Sequence, residues 1–539
     1  MRRSSAWLVA GALTLSATTL SACSSGGSSG TGGPSGHVLL VGTFDGHRGQ
    51  YSSIQAAVNA ASSGDWILVA PGDYHETDDL THPSANLHEG AFGGVLITKS
   101  GLHLRGMSRS KVIVDGTKAG TSTPCTSSPS EQQYGTTGSD GKPVGRNGIV
   151  VWKADDVSID NLTVCNFLAG TEASGNEIWW NGGADSGKIG LDGYEGSYLT
   201  ATTTFYANED SAAQYGIFSS NAHGPGLWNY LYANNFNDSG MYVGACQQVC
   251  DMTINHAWME NNALGYSGTN SGGQIVVENS QFDKNEDGFD TNTQIQGDPP
   301  APQDGNCPGS ATSPITHTRS CWVFWHNYIH DNNNPNTPRS GGAAAGPTGT
   351  GMTLSGGRND TVMDNTFADN GAWGILFVPY PDSNPPEYHQ SCTGTGGVEI
   401  SGFGCVYDPM NDALLHNTFS HNGYFGNPTN ADFGQITVAG NQPRNCFRDN
   451  TYPNGSAPAD LEAAQPTCDG TLTTAANTGG ALFNQVLCDT GFGTCPAGAS
   501  YPQGTGVEMQ PMPTSGIPTM NDPCQGVPAN AWCENGRPV

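Results

Sequence analysis

Apolar positions along this chain come in short runs that alternate with polar ones, and the runs return at a nearly constant distance. Gly216 (GIFSS), Gly240 (GMYVG), Gly265 (GYSGT) and Gly288 (GFDTN) follow one another at intervals of 24, 25 and 23 residues, and beyond an insertion Gly351 (GMTLS) and Gly374 (GILFV) are again 23 apart. A second unit precedes most of these glycines and returns later: YLYANNFNDSG, HAWMENNALG, VENSQFDKNEDG, VMDNTFADNG and LLHNTFSHNG. In it an asparagine stands three places after an apolar residue, as in Phe282 to Asn285, Phe367 to Asn370 and Phe419 to Asn422. Alternation with period two is a strand signal. A repeat in the low twenties with two or three short strands means coils stacked about 4.8 Å apart, none able to bury its apolar face alone. The pattern predicts an all-β chain, a parallel β-solenoid. Glycine and asparagine are expected at its tight turns, where both tolerate the left-handed conformation, and the asparagines should stack as hydrogen-bonded ladders with a structural role.

At the front, Ile54, Ala57, Val58 and Ala61 recur at helical spacing, followed by a strand from Trp66 to Ala70 and a Pro-Gly turn. A short helix here would hide the apolar end of the first coil. These residues resemble the opening segment of the pectin lyase-like right-handed parallel β-helix superfamily, and the resemblance runs from about His37 to Tyr452. It implies a right-handed parallel β-helix with an N-terminal capping helix, and no particular activity, because the superfamily includes lyases, hydrolases, esterases, epimerases and proteins without catalysis. Beyond Asn450 the unit fades into a tail rich in proline, glycine and cysteine, where ADLEAAQ (Ala459 to Gln465) is expected to form a helical turn or two as a C-terminal cap.

The N-terminus carries Arg2 and Arg3, then an apolar run from about Trp7 to Leu20 that is too short to span a membrane permanently. It ends at LSAC, which resembles the lipobox of bacterial lipoproteins and implies lipidation of Cys23 and attachment to the outer face of the cell membrane by that anchor alone. The expected organisation is a signal peptide over 1–23, a Ser/Gly-rich tether over 24–36, the β-helix over 37–455 and a disulfide-rich tail over 456–539. Fourteen cysteines remain after Cys23, an even number in an exported chain, so up to seven disulfides are expected. Cys307 with Cys321, Cys392 with Cys405 and Cys524 with Cys533 are plausible partners, and Cys246-x3-Cys250 lacks the second ligand pair of a zinc site. A net charge of −29 with only 19 basic residues leaves no basic stripe for nucleic acid, and a monomer is expected.

Chemistry is suggested first by KNEDGFDTN (Lys284 to Asn292). Glu286, Asp287 and Asp290 crowd around Gly288, read as a turn, and clustered carboxylates suit Ca²⁺. The run E-D-G-F-D also resembles the D-D-G-x-D motif of the calcium-dependent family 9 polysaccharide lyases, which implies these three as ligands. The chain departs from that family at Asn261 and Asn262, where another aspartate is expected, and it has no lysine after Lys284 to act as base. Arg319, Arg339 or Arg358 would have to serve, with Arg358 the preferred choice, although the very high pKa of arginine makes this demanding. The structural alternative is an acidic turn.

A second candidate surface is NEIWWNGGADSGKIGLDGYEGSY (Asn176 to Tyr198), which breaks the coil period and reads as a projecting loop. There Trp179 and Trp180 could stack on sugar rings and Lys188 could bind substrate, with Asp185 and Asp192 as further acid/base groups; equally, both tryptophans could cover an apolar flank. His326 and His330, in a strand, are not a helical ligand pair; Trp322 and Trp325 straddle that strand, and His416 and His421 belong to a turn surface. No serine elbow, P-loop or dinucleotide fingerprint is present. Three functions remain open: a calcium-assisted lyase acting on an extracellular, uronic-acid-containing polysaccharide, a non-catalytic surface module binding glycan or protein, and a glycoside hydrolase using paired carboxylates.

Overall fold

The computed structural model describes residues 36–538, apart from 83–91, 122, 184–188, 245–249, 270, 293–321, 341–345, 383–391, 393–396, 402–403, 439–444, 460, 465–478 and 514. Cys23, Asp185, Lys188, Arg319 and the pair Cys307 and Cys321 lie outside the described residues.

Each coil contributes one strand to each of three parallel sheets. One coil runs Gly226–Asn229, Tyr232–Asn234 and Ser239–Gly244; the next begins at Cys250 and pairs with it residue for residue. The first sheet has 12 strands, the second 10 and the third 11, and strand neighbours are always from adjacent coils. This is a right-handed parallel β-helix. One column of side chains fills the bore: Met241, Tyr266, Phe289, Met352, Ile375 and Phe433 occupy one position of the third sheet and are fully buried. Tyr266 and Phe289 stack at 4.1 Å, and Phe367 and Phe419 at 5.0 Å.

The helix Ile54–Ala60 closes the N-terminal end. Ser53 Oγ caps it by accepting from Ala56 N–H, and Ile54, Ala57 and Val58 turn into the core. At the far end the single turn Leu461–Ala464 inserts Leu461 into the same core.

The asparagine ladders are present and run inside the turns. Asn262, Asn285, Asn332, Asn370 and Asn422 form one continuous stack, in which each Oδ1 accepts from the backbone N–H and the Nδ2 of the asparagine one coil earlier. Asn327, Asn365, Asn417 and Asn450 form a second. The recurrent glycines have a different reason from the one expected. None of Gly216, Gly240, Gly265, Gly288, Gly351 and Gly374 has a positive φ; they stand at strand starts, where a Cβ on Gly265, Gly288 or Gly351 would fall on the carbonyl oxygen of the next coil's glycine. Gly288 therefore opens a strand, Asp287–Asn292, rather than marking a turn. The left-handed turn positions are taken by Tyr230, His256, Asn279, His326, Asp364 and His416, with φ from +51° to +57°.

The tail travels back along the molecule after leaving the last coil. The helix Gly480–Asp489 packs Leu482 against Leu376 and Ile436 on the outer face of the third sheet. From Tyr501 the chain crosses to the second sheet and runs toward the N-terminal end: Glu508 N–H donates to Asn336 O, Gln510 exchanges hydrogen bonds with Asn235, and Arg109 and Arg105 donate to Pro518 O and Gln525 O. It ends with Trp532 and the Cys524–Cys533 disulfide packed on Leu40, Trp66 and Leu68. Disulfides also join Cys125–Cys165, Cys392–Cys405 and Cys488–Cys495. Cys250 is disulfide-bonded too, which removes it as a zinc ligand. Among the described residues no helix is long and apolar enough to cross a membrane.

Candidate active site

The outer face of the third sheet carries one column of side chains in the order Leu96, Val150, Trp179, Phe218, Tyr242, Ser267, Asp290, Thr353 and Leu376, one from each successive coil. The column passes from apolar through aromatic to acidic. Trp179 stacks on Phe218 at 5.0 Å and 11°, and Phe218 meets Tyr242 edge-on at 4.9 Å. Trp179 Nε1 donates to Ser220 Oγ, which fixes the ring flat against the sheet.

Where this row ends, carboxylates gather. Asp287 and Asp290 lie three residues apart in one strand, and both reach Thr353 in the next coil. Thr353 Oγ1 is 3.1 Å from Asp287 Oδ2 and 2.5 Å from Asp290 Oδ1, and Ser355 Oγ adds a bond of 2.6 Å to the same Asp290 oxygen. A threonine hydroxyl has one proton. Both contacts are made at once when one carboxyl is protonated and donates to Thr353 Oγ1 while the hydroxyl donates to the other, and we assign the proton to Asp287. Burial, reinforced by the charge of Asp290, raises the pKa of Asp287 well above the ordinary carboxylate range. Asp290 is also raised by burial, but its two hydroxyl donors favour the ionised form.

Asp238 lies two coils earlier, half-buried, and accepts from Tyr215 O–H at 3.0 Å. Burial, with a contribution from Asp290, raises it to about 6. Gln214, 3.5 Å from Asp238, lines a cavity of about 660 Å³, together with Asn237 and Ser340. Asp290 thus continues the column of the aromatic row, and Asp238 lies near enough to feel its charge while its neighbours Gln214 and Asn237 line the cavity.

The triplet named from the sequence is divided by this geometry. Glu286 turns away from Asp287 and Asp290: its Oε1 takes an ion pair of 2.8 Å from Arg339 and a bond from Thr348 Oγ1, and burial outweighs Arg339 to raise its pKa to about 8. The acid, histidine and cysteine groups that do converge within 4.8 Å, among the described residues, are Asp73, His75 and Asp115, and Asp115 with Cys125 and Cys165, whose sulfurs are already bonded to each other. As they stand, Glu286, Asp287 and Asp290 do not offer a metal ion one shared position. Arg358 belongs to another set of contacts, buried at a turn with its charge acting on Asp412.

The second surface needs correction. Ile178–Asn181 and Tyr194–Ser197 are regular strands of the third and first sheets, not a projecting loop. Alternation therefore sends neighbouring tryptophans to opposite sides. Trp180 is fully buried against Tyr194 and Trp228, donating to Val157 O, and cannot stack on a sugar, whereas Trp179 faces outward. Asp192 is exposed and pairs with His223. Sequence reading missed Asp238, Tyr215, Thr353 and Ser355. The signal was available in the repeat: aligned on Gly240 and Gly288, Asp238 and Glu286 share a column, and so do Asp290 and Thr353 when aligned on Gly288 and Gly351.

No protein family profile matches the sequence, and no curated protein is similar to it. Solved structures similar to it include the A-module of a mannuronan C-5 epimerase from Azotobacter vinelandii (13% identity, 74% of this chain and 90% of that one, TM-score 0.39). A pectate lyase (14%, 83% and 90%, TM-score 0.34) and an alginate lyase from Paenibacillus (11%, 78% and 96%, TM-score 0.31) are further examples. With three stacked sheets paired coil upon coil, the chain is a right-handed parallel β-helix, the fold implied by its resemblance to the pectin lyase-like superfamily.

Proposed function

We propose that this protein is a polysaccharide-active enzyme that binds its glycan along the outer face of the third sheet and acts on it with carboxylates. Its export and its tethering through Cys23 are part of the same proposal, supported by the signal-like N-terminus and by the disulfides. The observation that carries the reading is the place of Asp290 in the outward column that continues the aromatic row of Trp179, Phe218 and Tyr242, with Asp238 near enough to feel its charge. Aromatic faces hold sugar rings by stacking. Asp238, raised to about 6, is suited to deliver a proton to a leaving oxygen, and Asp290 is suited to act as base or nucleophile. Asp287 holds its proton and, through Thr353, keeps Asp290 ionised and oriented. That division of labour is the one glycoside hydrolysis needs.

A second reading, β-elimination on a uronic-acid glycan with Glu286, Asp287 and Asp290 holding Ca²⁺ and Arg358 as base, has one observation in its favour. Glu286 Oε2 is buried with no hydrogen-bond partner among the described residues. Ca²⁺ would neutralise the uronate carboxylate; its binding would require Glu286 to leave Arg339. Incubating the protein with a panel of neutral and uronic polysaccharides, with and without chelator, separates the two. New reducing ends without unsaturation support the hydrolase. Unsaturated, ultraviolet-absorbing products lost with chelator support the lyase, and no product from any glycan leaves a binding module.

A further inference from the structure

The returning tail encloses a second cavity, on the second sheet, with none of the acids described above in its walls. It has a volume of about 500 Å³ and lies between the N-terminal part of the second sheet and the tail residues Pro511, Met512, Pro513, Ser515, Ile517 and Thr519. Its walls include Ile113, Met512 and Ile517 as apolar surface and Ser110, Ser515 and Thr519 as hydroxyl groups. One ionic group faces it, Arg109.

Arg109 is buried, and its partners are neutral. Nε donates to Thr200 Oγ1 at 2.8 Å, Nη1 to Pro518 O at 2.8 Å and Nη2 to Leu199 O. The other arginines of this region differ: Arg146 pairs with Asp79 at 2.9 Å and Arg105 with Asp160 at 3.1 Å. Among the described residues no carboxylate lies within ion-pair distance of Arg109. A guanidinium carries five N–H donors in a planar fork that fits an oxyanion in bidentate fashion. Among the described residues three of the five have partners, so two remain. Burial without a counter-charge lowers the pKa of Arg109 to about 9. In a chain of net charge −29, such a site is not explained by an abundance of basic residues.

We propose that this cavity is a binding site for a small oxyanion, the carboxylate or sulfate of a sugar-sized ligand, with Arg109 as its counter-charge and the tail as its roof. The apolar wall would lie against the carbon skeleton of the ligand, and the hydroxyls against its polar edge. The site does not depend on the reaction proposed above.

The test uses the full-length protein and equilibrium binding of three probes, sodium glucuronate, sodium sulfate and glucose, at matched ionic strength. The expected result is saturable, one-to-one binding of at least one anion and none of glucose. Glucuronate alone identifies a carboxylate site and sulfate alone a sulfate site. Arg109→Gln should weaken that binding at least tenfold, while Asp290→Asn, in the other site, should leave it unchanged. Ser515→Trp, which keeps Arg109 and fills the cavity, should also abolish binding, and this variant decides the matter if Arg109→Gln does not fold. Failure of both anions to bind saturably, or equal binding by wild type and Ser515→Trp, overturns the proposal.

Discussion

Thr353 and Asp290 stand opposite one another on adjacent coils, with Thr353 Oγ1 2.5 Å from Asp290 Oδ1, and the same hydroxyl reaches Asp287 Oδ2 at 3.1 Å. Burial and the charge of Asp290 raise the pKa of Asp287 well above the ordinary range, the hydroxyls of Ser355 and Thr353 hold Asp290 toward its ionised form, and burial raises Asp238, two coils away, to about 6. The β-helix makes this possible because consecutive coils place residues from distant parts of the sequence in one column at the sheet spacing.

The two neighbouring aspartates should therefore respond unequally to the same substitution. Asp290→Asn removes the charge that acts on the substrate and should lower turnover by about 10²–10⁴-fold. Asp287→Asn replaces a neutral acid with a neutral amide that can still accept from Phe289 N–H and donate to Thr353, and should cost roughly tenfold or less. Rates of glycan turnover for the two purified variants, with circular dichroism to confirm folding, check this. Equal losses would remove the relay.

Stability should fall as pH rises. In the unfolded chain Asp and Glu titrate at about 3.9 and 4.3, whereas in the folded protein Asp160 and Asp238 are raised to about 6, Glu286 to about 8, and Glu177, Asp287, Asp360 and Asp412 well upward, each chiefly by burial. The native state then binds more protons than the unfolded one between about pH 4 and pH 8, so the contribution of these groups is complete at the acidic end and lost toward the alkaline end. Asp65, whose pKa is lowered, runs the other way. Thermal unfolding midpoints should be higher at pH 5 than at pH 8, and a midpoint that is level or higher at pH 8 contradicts the assignment.

Within the ladders, Asn332 is bonded on both sides: its Oδ1 accepts from Asn285 N–H and Nδ2, and its Nδ2 donates to Phe282 O and to Asn370 Oδ1. Asn332→Ala leaves several buried groups unpaired at about 1–3 kcal/mol each. Chemical denaturation should show a loss of about 3 kcal/mol or more, against less than about 0.5 kcal/mol for Ser420→Ala, exposed on the strand Thr418–Ser420.

Removing the tail from Tyr501 onward should uncover Leu40, Trp66 and Leu68, which Trp532 and Val527 now cover. The truncated protein should unfold at lower temperature and self-associate in size-exclusion chromatography, because the exposed apolar area adjoins the open edge of the first sheet.

Much of the fold was legible in the sequence because it depends on a repeat. Alternation fixed the strands, the Phe-to-Asn spacing fixed the ladders, and the helical spacing of Ile54, Ala57 and Val58 fixed the cap. The role of Gly265 and Gly288 was misread, since close approach between coils is a tertiary fact with no local signal. The site was legible only in part. Asp287 and Asp290 stood out as a cluster, but their separation from Glu286 depends on Arg339, some 50 residues on, and Thr353 arrives from beyond a long insertion. Trp179 and Trp180 looked equivalent because their loop reading concealed the alternation that separates them.

The central claim is that ionised Asp290, held by Thr353 and protonated Asp287, acts on a glycan bound along the third sheet. Its most direct test is the release of new reducing ends from a polysaccharide panel by wild type, Asp287→Asn and Asp290→Asn in the presence of chelator. Release by the first two and not by Asp290→Asn is the predicted result; undiminished release by Asp290→Asn, or release by none of the three, contradicts it.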